Sequence, residues 1–86
     1  MINKNEDFVA WAMWIEQLNE AREHLQELIK TMVERADYEE ADFRINLGHV
    51  YAHLNRARHS QNQTAEITED QWTDFSKFPA DLNPVG

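Results

Sequence analysis

Hydrophobic positions recur every three or four residues from Phe8 to Ala57 and mark two amphipathic helices. In the first stretch Phe8, Trp11, Ile15, Leu18, Leu25, Ile29 and Met32 step by threes and fours. That is the period of a helix with one buried stripe. The single break falls at Arg22, where Ala21 can cover the seam. Ala12, Trp14, Leu28 and Val33 widen the stripe, and Glu16, Glu20, Glu23, Glu27 and Lys30 form the polar face. Neither Gly nor Pro interrupts the run, so the pattern predicts a helix over residues 4–35. Asn3 followed by Glu6 reads as a capping box at its start.

The second stretch predicts a helix over residues 38–59. Asp37 reads as its cap, with Glu39 and Glu40 in the first turn, and Arg56, Arg58 and His59 crowd the far end. Acids at the start and bases at the end both suit the helix dipole. Its main stripe is Phe43, Leu47, Val50, Leu54 and Ala57; Ala41, Ile45, Gly48 and Ala52 form a second stripe opposite. A helix apolar on two sides is expected to be covered on two sides. Gly48 costs about 1 kcal/mol against Ala in a helix interior, a cost that close approach of another backbone would justify.

The connection Glu34-Arg35-Ala36-Asp37 has no Gly or Pro, which leaves one continuous helix as an alternative; a hairpin is preferred because an Asp cap competes with continued helix and folding back buries both stripes. After a polar linker, Thr68-Glu69-Asp70-Gln71 is another capping-box pattern, opening a short helix over residues 69–77. Trp72, Phe75 and Phe78 lie three apart along it, and Pro79 and Pro84 end regular structure. The expected fold is therefore all-α. Residues 1–60 form a helical hairpin of two long antiparallel helices. Residues 61–86 supply a linker, the short helix and an irregular tail packing on the hairpin. The stripe Ala41, Ile45, Gly48 and Ala52 is to be covered either by the tail or by a second copy; the second reading is preferred, a homodimer in which two hairpins complete a four-helix bundle. The rings of Trp72, Phe75 and Phe78 have two readings: closure of the protein's own core, or docking into a partner's groove. The first is preferred, because three exposed aromatics on a small monomer invite aggregation.

Composition narrows the possible roles. The chain has 86 residues, one domain's worth, and no cysteine, so no disulfide can supplement a small core. Sixteen acidic residues against eight basic ones leave a net charge of −8, densest in residues 61–86, where five acids face one base. That balance argues against direct nucleic-acid binding, which needs clustered Lys and Arg, and permits a basic protein partner. The polar first residues and the lack of a long apolar run predict a cytoplasmic protein without membrane association.

Chemistry has few footholds. His49 and His53 are four apart and share a helix face with Asp42 and Asn46, a spacing that can hold zinc. Glu16, Glu20, Glu23 and Glu27 line one edge of the first helix, and magnesium takes carboxylates so clustered. Glu16-Gln17-Leu18-Asn19-Glu20 followed by Asn46-Leu47-Gly48-His49 resembles the paired acidic helix motifs of the MazG-like all-α nucleotide pyrophosphohydrolases. The resemblance implies a similar helical arrangement more readily than it implies that family's magnesium-dependent activity. Gln17, Asn46 and His49, however, stand where that family has carboxylates. No spacing supports a Ser–His or Cys–His pair, and two glycines cannot make a phosphate loop.

The leading expectation is thus a non-enzymatic helical protein without cofactor, acting through protein contacts as an adaptor, regulator or accessory subunit. A divergent MazG-like hydrolase is second. An acidic mimic that binds a nucleic-acid-binding protein is third.

Overall fold

The computed structural model describes all residues, Met1–Gly86, and contains three helices and no strand. Helix α1 spans Phe8–Glu34, α2 spans Glu40–His59 and α3 spans Glu69–Phe75. α1 and α2 pack against each other as a hairpin, and α3 lies on α2. No helix is long and apolar enough to cross a membrane.

The helix ends follow local hydrogen bonding more closely than the hydrophobic pattern. Asn3 does fold the chain: its Oδ1 accepts the N–H groups of Asn5 and Glu6, both at 2.9 Å. That closes a separate turn, and α1 begins only at Phe8, after Asp7. Asp37 does not cap α2. Its carboxylate takes both Nε and Nη2 of Arg35, at 3.0 and 3.2 Å. This ion pair holds the carboxyl below the usual carboxylate range, through the hydrogen bond from Arg35 first. The cap moves to Glu39, whose N–H donates to Asp42 Oδ2 at 3.1 Å. The turn is stiffened further by Tyr38, whose hydroxyl accepts from Asn46 Nδ2 at 3.0 Å. Every non-Gly residue keeps negative φ, so the reversal needs no glycine. At α3 the expected reciprocal box is present: Gln71 N–H donates to Thr68 Oγ1, and Thr68 N–H to Gln71 Oε1. α3 ends two residues before the expected Lys77.

The buried line of α1 differs from the expected stripe. Ala21 and Leu28 are buried and Trp14 half-buried, whereas Phe8, Leu18, Leu25, Ile29 and Met32 remain exposed. On α2 the line is Phe43, Val50 and Ala57, with Val50 and Ala57 buried. Each line steps by seven, the seam of two antiparallel helices. Trp14 locks the two together at one end, its Nε1–H donating to the Ala57 carbonyl at 2.7 Å. Only nine residues are buried, and no large side chain is fully enclosed. A hairpin is one layer of two helices and has no third surface to seal its flanks.

Candidate functional site

Both flanks of the hairpin follow from the two seam lines. Three residues after each seam position come Gln17, His24 and Thr31 on α1, and Asn46 and His53 on α2. Four residues after come Leu18, Leu25 and Met32 on α1, and Leu47 and Leu54 on α2. In a helix, positions three and four on fall on opposite sides of the starting residue. In an antiparallel pair the corresponding flanks of the two helices share a side. The hairpin therefore has one polar and one apolar edge.

Contacts across the polar edge agree with this placement. His53 is buried, and its Nδ1 lies 2.9 Å from Gln17 Oε1 and 3.1 Å from Glu20 Oε2. Two acceptor oxygens around one ring nitrogen fit an Nδ1–H that donates to them. Arg56 Nη2 stands 3.1 Å from the same nitrogen, beside these bonds. The His24 ring stacks on His53, with centroids 5.0 Å apart, and meets His49 edge-on at 5.5 Å. Burial, then the Arg56 charge, hold His53 below the usual imidazole range, with His24 and His49 adding to the effect and Glu20 opposing it. Arg56 is itself buried, which lowers its pKa, and its Nε has no partner. Its guanidinium lies 3.8 Å from the centroid of the Trp72 ring, and its Nη1 donates to Ser76 Oγ at 2.7 Å. Arg56 thus ties the histidine edge to α3.

The candidate metal ligands divide between different surroundings. Glu20 and His53 meet; Glu16 and Glu23 are exposed on α1; His49 contacts His24 by its ring. No group of three or more His, Asp or Glu side chains is arranged to hold a metal ion. Sequence reasoning missed His24, took Gln17 only as a departure from the acidic motif and took Arg56 only as a base at the helix end. The signal that finds the first two is the polar residue three positions after each small or apolar seam residue.

The apolar edge is open. Leu18, Leu25 and Leu54 are 40–42% exposed, and Ile29 and Met32 more so. Trp11, Ile15 and Leu47, half-buried, extend the face, and the seam residue Phe43 is left 37% exposed. The second stripe of α2 is also uncovered in part. Ala41, Ile45 and Gly48 are exposed and Ala52 half-buried, and a Cβ added at Gly48 would meet nothing within 4 Å. The C-terminal aromatics all touch α2: Trp72 on Arg56, Phe75 stacked on His59, and Phe78 edge-on to Tyr51. Phe78 still leaves 69% of its surface exposed, and Trp72 45%. Asn55 Nδ2 donates to the Ser76 carbonyl at 2.8 Å, fixing the end of α3.

No known protein family, curated protein or solved structure matches the chain.

Proposed function

We propose that the protein is a non-enzymatic helical interaction module, an adaptor, regulator or accessory subunit, that self-associates through the apolar edge of its hairpin. One observation carries this reading: a continuous row of large apolar side chains, drawn from both helices, is left half-exposed while no large side chain is fully buried. Leu18, Leu25, Ile29, Met32 and Leu54 each have roughly 1 kcal/mol still to gain from burial. Two copies facing each other would gain on the order of 10 kcal/mol, against roughly 4–15 kcal/mol of lost freedom on association. Such a balance suits a reversible dimer. The geometry of two packed hairpins is a four-helix bundle. The stripe Ala41, Ile45, Gly48 and Ala52 has one large side chain and offers less area for the same purpose.

Sedimentation velocity between one and one hundred micromolar tests the reading. A dimer is expected at the upper concentrations, and Leu25→Glu is expected to leave a folded monomer. A wild-type monomer throughout that range overturns it.

A further inference from the structure

The first turns of α1, the linker and α3 line a half-open crevice of about 190 Å³, away from the apolar edge. Its apolar walls are Ile2, Met13, Trp14, Ile67 and Trp72. An apolar cavity of roughly 150 Å³ holds a benzene ring, whereas sites for drug-sized ligands run to roughly 300–1,000 Å³. The space therefore suits one large side chain. Its walls are tied in place. Ile2 N–H donates to the Gln61 carbonyl at 2.7 Å, and Trp14 is held by Ala57. The Gln63 and Gln71 amides bond each other reciprocally, at 3.0 and 3.1 Å. A preformed site loses little freedom on binding.

The charged side chains that line the crevice and its rim are all acidic, and the one cation close by, Arg56, lies against the Trp72 wall. Glu66 stands in its wall, and a shallower depression sharing Ala10 and Thr64 adds Glu6 and Asp7. Neither is lined by Lys, Arg or His. Asp74 and Asp81 have ion-pair partners in Lys77 and Arg58, whereas Glu6, Asp7 and Glu66 have none. Asp7 precedes α1, where an acid offsets the helix dipole; Glu66, in the linker, has no such role.

We infer that this crevice receives one aromatic or aliphatic anchor side chain of a basic peptide segment, with lysines or arginines beside the anchor meeting Glu66, Glu6 and Asp7. A second copy of the chain is the poorer occupant here, since its excess of acids would meet the acidic side chains Glu66, Glu6 and Asp7, which the apolar edge does not carry.

The test is a titration of ¹⁵N-labelled protein with a lysine-rich peptide carrying one central Phe, followed by amide and indole shifts. Shifts are expected at Ala10, Met13, Ala65 and Ile67 and at the Trp14 and Trp72 indoles. Replacing the peptide's Phe by Ala should weaken binding at least tenfold, and glutamates in place of its lysines should do the same. Glu66→Lys, at an exposed position that leaves the fold intact, should weaken binding severalfold at low salt. Ala10→Trp, checked for helical content, should block the crevice. The monomeric Leu25→Glu variant should bind as the wild type does, which separates this site from self-association. Equal binding of the Ala peptide, shifts confined to the Leu18 and Leu25 edge, or no shift at millimolar peptide overturns the inference. So does movement of the same signals when the protein alone is diluted, which would make a second copy the occupant.

Discussion

His53 and Arg56 show how single side chains stitch three helices together. His53 is held below its ordinary pKa of 6.5, so the folded protein keeps the ring neutral where the unfolded chain takes up a proton. Stability is then fully present above pH 6.5 and is lost as the pH falls through that value. The facing groups are Gln17, Glu20 and His24 from α1 and His49 and Arg56 from α2. Thermal unfolding followed from pH 7.5 to 5 should show a falling melting temperature. His53→Gln should flatten that slope, and an unchanged slope would contradict the assignment. Trp72 is the second residue-scale case. Its ring covers the buried Arg56 guanidinium, a contact worth roughly 0.5–2 kcal/mol. Trp72→Ala should therefore lower the melting temperature at low protein concentration, and unchanged stability would make the ring a docking group alone.

Among the elements, α2 carries most of the connections: α1 on one side, α3 and the tail on the other. Gly48 lies on the part of its outer face that neither reaches, with open space where a Cβ would stand. Gly48→Ala should stabilise the protein by about 0.5–1 kcal/mol through helix propensity alone, read from denaturant midpoints. Because Gly48 lies off the apolar edge, its self-association constant should not change. A loss of stability would mean that another backbone approaches there. The helix boundaries also belong to this scale. The box at Thr68 was legible because its two partners have few competitors. Asp37 was misread because Arg35, two residues away, takes its carboxylate before the helix can.

The whole molecule is extended, 48 × 32 × 25 Å, with a radius of gyration of 14.8 Å. A compact chain of this length would have a radius of gyration of about 12 Å. Elongation follows from α1, whose 27 residues make a rod of about 40 Å. A thin hairpin of this shape exposes its flanks, and burying one of them between copies should make stability depend on concentration. The melting temperature is expected to rise by several degrees between one and one hundred micromolar protein. Leu25→Glu should abolish that dependence.

The sequence by itself determined the helices and the capping of α3, because these rest on periodicity and on bonds between near neighbours; the return was expected from an Asp37 cap, but Arg35 takes that carboxylate and Glu39 caps α2 instead. It also marked Leu18, Leu25, Ile29 and Met32 as apolar. Only the tertiary structure decided that these side chains lie beside the seam, with Trp14, Ala21 and Leu28 in it. Two helices can meet along any of several adjacent rows, and the choice is made by how side chains of both fit together. Small Ala21 and Ala57 permit the close approach, and Trp14 finds its carbonyl on α2. The same choice gathers His24 to His49 and His53 and leaves the row Leu18, Leu25, Ile29 and Met32 exposed.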